Sequence, residues 1–263
     1  MNIAILGANG FLGSYLVNNL TLHNIIPVTR KTHDITSHSK VNDFLKSNDI
    51  DVVINCAFHG SSVRPTDIKI NLEMFLNFYN NSHLFDHYIN VGSGAELTKT
   101  DQPRKEEDLT DFCDYDDEDY DFTKNVISRM CLEKDNFTTL RLFGCFDRTE
   151  PDYRLFKKFI KKEVNWLDNI LFDYISAKDF TSIVKFFIEN KNKHYKDINC
   201  VYNSKYSLQN IVEYFFKVNN IEKYNYRVSN NKTCIHNYIG DGSKLHSLPI
   251  KLEGLWEGLK NYV

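Results

Sequence analysis

Short apolar runs alternate with longer amphipathic stretches through the first half of the chain. Ile3-Ala4-Ile5-Leu6 is continuously apolar, and Phe11 to His23 then carries apolar residues at helical spacing. Ile25 to Thr29 reads as a second strand, with Val41 to Leu45 on a short helix. Asp51-Val52-Val53-Ile54-Asn55 reads as a third strand, nearly continuous in apolar side chains as a sheet covered on both faces requires. Asp67 to Tyr79 places Ile68, Ile70, Leu72, Phe75, Leu76 and Tyr79 at helical spacing. Tyr88 to Val91 is the next strand, Tyr120 to Glu133 a helix, and Thr139 to Phe143 a strand. Such alternation with short connections predicts an α/β fold built on a doubly wound parallel sheet.

From about Asp147 the rhythm loosens. Helices are expected over Tyr153 to Lys162, Ala177 to Glu189, Leu208 to Val218 and Leu252 to Tyr262, with strands over Ile170 to Ile175 and Ile198 to Tyr202. The pattern predicts a Rossmann domain over residues 1–146, with 170–195 returning to it. Residues 147–169 and 196–263 then form a small substrate-binding lobe over the sheet's carboxyl edge, where open α/β sheets bind ligands.

Composition narrows the classes. Of 263 residues, 42% are hydrophobic and 25% charged, enough to build a core, and the net charge of -3 supplies no basic field for nucleic acid. The six cysteines show no C-x-x-C pair or zinc spacing, so no metal site is expected and the thiols read as reduced. The first residues enter a strand directly, without a basic and apolar leader, and no apolar run approaches the roughly 20 residues of a membrane span. A cytoplasmic protein with no membrane partner is the expectation.

Gly7-Ala8-Asn9-Gly10-Phe11-Leu12-Gly13 joins the first strand to the first helix. Gly7 permits a tight turn, Gly10 a close backbone approach to a pyrophosphate, and Gly13 close helix–strand packing, while the helix start offers N–H groups to phosphates. Downstream, Tyr120-Asp121-Phe122-Thr123-Lys124 puts a phenol and an ammonium on one helix face, where the cation favours phenolate. Tyr120 then becomes an acid or base near neutral pH. Val91-Gly92-Ser93-Gly94-Ala95 ends a strand at the carboxyl edge, so Ser93 stands ready to bond a substrate oxygen beside Tyr120.

These motifs, with Arg141-Leu142-Phe143-Gly144, Phe172-Asp173-Tyr174-Ile175, Lys178-Asp179, Tyr206-Ser207-Leu208 and Asp241-Gly242-Ser243-Lys244-Leu245, occur in the order and spacing of the extended short-chain dehydrogenase/reductases (the NAD-dependent epimerase/dehydratase family). The chain resembles the sugar-nucleotide enzymes among them, of the GDP-L-fucose synthase and dTDP-4-dehydrorhamnose reductase types, over nearly its whole length. The resemblance implies that Tyr120 exchanges the proton, Lys124 holds the nicotinamide ribose, and Ser93 polarises the carbonyl. It places Gly7, Asn9, Gly10, Phe11, Leu12, Asn55, Ala57, Phe58, His59, Val91 and Phe143 along the cofactor, and Ser93, Gly94, Ala95 and Arg154 against the substrate. Asp34-Ile35 is similar to the pair that contacts adenine. Family members commonly form homodimers through two helices, here Asp67 to Tyr79 and Tyr120 to Glu133.

Departures narrow the reaction. Ser93-Gly94-Ala95 stands where the dehydratases carry Thr-Asp-Glu, although Glu96 follows. Ala95 replaces the fucose-synthase cysteine, and no histidine lies between Cys145 and Lys162; Cys145 could act from another direction. What remains looks like a plain ketoreductase of a nucleotide-diphosphate sugar in polysaccharide biosynthesis. An NAD-dependent C4-epimerase using Tyr and Ser is the rival, and a non-catalytic NAD(P)-sensing protein a reading from another class. Thr29-Arg30-Lys31, in place of the acidic residue that bonds the NAD ribose, favours NADP(H) over NAD(H). His59 could line the cofactor or be structural. The acidic run Asp114, Asp116, Asp117, Glu118, Asp119 and Asp121 reads as a solvated helix start. Among Arg154, Lys157, Lys158, Lys161 and Lys162, one or two are expected to pair with the substrate pyrophosphate.

Overall fold

A computed structural model describes residues 1–60, 65–111, 119–190, 195–229 and 236–262. In the first half, β1 (Asn2–Leu6), α1 (Phe11–Asn19), β2 (Asn24–Val28), α2 (His38–Asn48), β3 (Val52–Asn55), α3 (Ile68–Asn80), β4 (His87–Ser93), α4 (Asp119–Leu132) and β5 (Phe137–Leu142) alternate as the pattern predicts. They are followed by β6 (Cys145–Phe146), α5 (Leu155–Ile160), β7 (Trp166–Asp168), β8 (Ile175–Ser176), α6 (Ala177–Glu189) and β9 (Asp197–Asn199). The chain then runs through α7 (Leu208–Val218), β10 (Arg227–Ser229), α8 (Ser243–His246) and α9 (Leu255–Lys260).

Six strands pair in parallel in the order β2-β1-β3-β4-β5-β9, the doubly wound sheet expected. β3, β4 and β5 are buried at every position because helices cover both faces. Alternation along each strand divides the core. Ile3, Ile5, Val52, Ile54, Ile89, Val91, Leu140 and Leu142 share one apolar cluster with Leu16 of α1 and Phe180, Ile183, Val184 and Phe187 of α6. Ala4, Leu6, Val53 and Tyr88 belong to the other, with Phe44 of α2, Phe75 and Phe78 of α3 and Ile127 of α4.

β1 has β2 on one side and β3 on the other, so the chain reverses direction of travel there and opens a crevice at the strands' carboxyl ends. The sixth strand comes from Asp197–Asn199, inside the stretch assigned to the lobe, and pairs with β5. Beyond it the C-terminal stretch is tied by contacts distant in sequence. The buried Asp179 carboxylate accepts from the Tyr202 hydroxyl at 2.6 Å and from the amides of Glu253 and Gly254 at 2.8 and 2.9 Å. Asp67, Ser176 and Ser207 cap α3, α6 and α7 by accepting from the amides of Ile70, Asp179 and Asn210, each cap contributing about 1 kcal/mol.

Three expectations change. α1 ends at Asn19 rather than His23, because the chain turns at Leu20 toward β2. The strand expected from Ile170 to Ile175 is reduced to single bridges at Leu171 and Phe172 and the two-residue β8. The last helix is shorter than expected, since Gly254 at φ 95° starts it late. The acidic positions Asp114, Asp116, Asp117 and Glu118 lie outside the described residues, as do Cys113 and Cys234. The other four cysteines are free.

Candidate active site

The carboxyl ends of β1, β3 and β4 bring the glycine turn, the Asn55–His59 segment and Ser93 to one edge. Gly7 has φ 73°, and its amide and that of Ala8 both donate to Val28 O of the neighbouring strand. A Cβ at Gly7 would lie 2.8 Å from Ala57 N, and one at Gly13 would strike the Gly7 carbonyl. Gly10 begins α1 without a side-chain cap, so the helix's first amides remain available to a diphosphate. Asn9 is exposed at this turn, with Phe11 and Leu12 half-buried beside it. The cradle fits a dinucleotide, because Gly7 and Gly13 let strand, turn and helix close on one another while the first amides of α1 stay open.

Arg30 and Lys31 are exposed just past β2, where Thr29 and Thr32 close a tight turn through their hydroxyls. Asp34 is also exposed; hydrogen bonds from Thr36 and Lys40 hold its carboxyl below the ordinary value. Ile35 is buried, and its carbonyl accepts from Asn77. Past β3, the Ala57 amide donates to the Asn55 side chain at 3.1 Å. Asn71 clamps His59, accepting from its amide at 2.7 Å and donating to its carbonyl at 2.9 Å. His59 Nδ1 is buried and has no partner among the described residues.

Ser93 ends β4 and caps the tight turn Gly94–Glu96: the Ala95 amide donates to its hydroxyl at 3.2 Å, and its own amide donates to Glu96 Oε1 at 2.6 Å. Tyr120 projects from the first turn of α4, close enough to Ser93 for the serine hydroxyl to act on its phenol. Lys124, one helical turn on, is buried; its ammonium donates to Val91 O at 2.8 Å and lies 4.8 Å from the Phe58 ring centre. The Phe58 ring also meets that of Tyr120, with centroids 5.0 Å apart. Ser93, Tyr120 and Lys124 therefore converge, but the expected electrostatic effect of Lys124 does not appear. Burial raises the Tyr120 pKa above its ordinary value, outweighing the opposing effect of the Ser93 hydroxyl, and Glu96 and Asp121 add to the rise. Burial also lowers Lys124.

Other expected positions divide. Arg154 begins α5, donates to Cys145 O at 2.7 Å, and sits near enough to lower the Tyr120 pKa. Gly94 is buried and Ala95 half-buried in the turn after Ser93. The Phe143 ring packs between Gly94 and Gly240 and belongs to a small cluster with Leu97 and Val201. Cys145 is buried, and burial pushes its thiol far above the ordinary range, which removes it as a general acid or base.

Sequence reasoning named Glu96 without giving it a role and passed over Tyr238. Glu96 is fully buried and bonded to Arg141 Nε at 2.9 Å and the Ser128 hydroxyl at 2.6 Å, so it braces the Ser93 turn rather than facing a substrate. Tyr238, from the C-terminal stretch, brings its hydroxyl to 3.4 Å from Ser93 Oγ. Glu96 completes a Ser-x-x-Glu capping box with Ser93, a local signal, whereas Tyr238 is defined by partners far along the chain.

A family model described as the NAD-dependent epimerase/dehydratase family matches residues 3–200. The chain belongs to that family. No curated protein matches its sequence. Among solved structures it is similar to a dTDP-4-dehydrorhamnose reductase from Clostridium acetobutylicum, at 20% identity and TM-score 0.80, covering 100% of this chain and 98% of the other. A GDP-D-glycero-L-gluco-heptose synthase from Campylobacter jejuni, solved in the presence of NADPH, shares 20% identity at TM-score 0.79, with 99% and 96% covered. A Thermus thermophilus UDP-glucose 4-epimerase complexed with NAD shares 12% identity at TM-score 0.78, with 100% and 97% covered. The fold is that of NAD(P)-dependent oxidoreductases, as the motif resemblance implies. No helix among the described residues is long and apolar enough to cross a membrane.

Proposed function

We propose that this protein is an NADPH-dependent reductase of a nucleotide-linked keto-sugar, acting on a C4 carbonyl. The observation that carries the reading is the convergence of the Ser93 and Tyr120 hydroxyls beside Lys124 and a glycine cradle, with no second acid–base pair beside them among the described residues. Glu96 is held by Arg141 and Ser128, and Cys145 is buried. Bound NADPH would supply the hydride to the carbonyl carbon.

The rest falls to the chain. Gly7, Gly10 and the start of α1 bind the diphosphate, Arg30 and Lys31 attract the 2′-phosphate, and Lys124 orients the nicotinamide ribose. Ser93 donates to the carbonyl oxygen and Tyr120 delivers a proton to it. A phenol whose pKa is raised stays protonated at neutral pH, which suits a proton donor in reduction. Residues 1–146 hold the cofactor in this reading, and the later lobe, with Arg154, holds the nucleotide sugar.

NADPH consumption against UDP-, GDP- and dTDP-linked 4-keto-sugars tests the proposal: one substrate should be reduced with one NADPH consumed per turnover. Purification with tightly held NAD and no net cofactor consumption would mean a C4-epimerase instead. We also propose a homodimer through α3 and α4, where Leu72, Met74, Leu76, Tyr79 and Met130 are only partly buried against the core. Light scattering at micromolar concentration should give twice the chain mass, and a monomeric mass would reject it.

A further inference from the structure

Ser93 has one proton to give and two lone pairs to fill. The Ala95 amide fills one, at 3.2 Å. The Tyr238 hydroxyl stands 3.4 Å from the same oxygen.

We propose that Tyr238 is a positioning residue for the reduction: its hydroxyl donates to Ser93 Oγ, fills the second lone pair, and leaves the serine proton for the substrate's carbonyl oxygen. The bonds run in one direction, from Tyr238 to Ser93 to carbonyl, and donors linked this way polarise one another. This assignment rests on the ketoreductase reading above.

The surroundings of Tyr238 hold it for that task. Its amide donates to Leu171 O at 2.9 Å, and its carbonyl accepts from the Asp173 amide at 2.9 Å. The ring packs against Phe143 and Phe172, with centroids 5.0 and 5.1 Å away, and the Arg104 guanidinium lies 5.1 Å from its centre. Arg104 is only 2% exposed. It donates to Gly94 O at 3.1 Å and to Asn237 O at 2.9 Å, so one cation joins the residue after Ser93 to the residue before Tyr238. Burial raises the Tyr238 pKa, which keeps the hydroxyl protonated and able to donate.

Tyr238→Phe removes the hydroxyl and keeps the ring between Phe143, Phe172 and Arg104. The turnover number should fall about fivefold, the worth of one neutral hydrogen bond, with KM for NADPH and melting temperature unchanged. Added to Ser93→Ala, the same substitution should change nothing further, because the group it acts through is gone. Unchanged turnover, or an equal loss in both backgrounds, would overturn the assignment. A second measurement needs no sugar. In protein labelled with [ζ-¹³C]tyrosine and loaded with NADP⁺, the Tyr238 signal, identified by its loss in Tyr238→Phe, should move in Ser93→Ala; a stationary signal would overturn the proposal. Wild-type protein that reduces no keto-sugar would reject the proposed function and leave this spectrum to decide Tyr238.

Discussion

Behind Ser93 lie Glu96 and Arg141, both wholly shielded from solvent, with Ser128, Asn199 and Asp197 bonding the atoms the pair leaves over. In front of it lie Tyr120, Tyr238 and Arg154, which touch one another sparsely. Tyr120 and Tyr238 both lie beside the Ser93 hydroxyl, and Arg154 acts on Tyr120 through its charge. A saturated set of charges can hold a turn but cannot respond to a ligand. A sparse set of hydroxyls over that turn retains bonding capacity for a substrate. In the proposed reading the carboxylate nearest Ser93 builds the site, and Tyr120 does the chemistry.

Substitutions on either side should separate the two roles. Tyr120→Phe should lower turnover by about 10²–10⁴, the usual worth of general acid catalysis, while melting temperature and NADPH affinity stay near wild type. Steady-state kinetics beside a thermal melt would show it. Glu96→Gln should do the reverse, removing the nearer of the two carboxylates on buried Arg141 and costing about 3 kcal/mol of stability in denaturant titration. A loss below about 1 kcal/mol would mean the pair is no brace.

At the cofactor end, Arg30→Ala should weaken NADPH by about 1.5–3 kcal/mol and leave NADH nearly unaffected, since only NADPH brings a phosphate. Titration calorimetry with both nucleotides checks this, and equal weakening would reject the choice of cofactor. The smallest effect concerns Glu150, buried at the far end of the Arg154 side chain and bonded by the Tyr262 hydroxyl at 2.6 Å. Burial pushes its carboxyl from 4.5 up to about 7. The folded state then binds more protons than the unfolded one between those values, so stability is highest below 4.5 and falls as pH rises through about 7. Glu150→Gln keeps the acceptor for Tyr262 without the ionisation. It should gain about 1–2 kcal/mol on wild type between pH 5 and pH 8, read from melts at each pH.

Legibility followed how local the cause was. α6 and α7 fall at Ala177–Glu189 and Leu208–Val218, the bounds their spacing predicts, because an apolar stripe and a serine cap are written within a dozen residues. The glycine turn and the Tyr120–Lys124 pair are likewise local. β7 and β10 are three residues each and exist by pairing with one another across the lobe, so no periodicity announces them. Tyr238 meets Ser93 across 145 positions, and Arg141 reaches Glu96 across 45. The Tyr120 pKa misled for a related reason. Helical spacing puts Lys124 on its face, but Val91 O and the Phe58 ring take the ammonium, and burial then governs the phenol.

The central claim is net hydride transfer to a sugar carbonyl with Tyr120 supplying the proton. NADPH carrying deuterium at the transferring C4 position, incubated with the accepted nucleotide keto-sugar, tests it in one product analysis. The account predicts one deuterium per NADPH consumed, located on the former carbonyl carbon, and a rate that collapses in Tyr120→Phe. Product without deuterium at that carbon, or undiminished transfer in the variant, would contradict it.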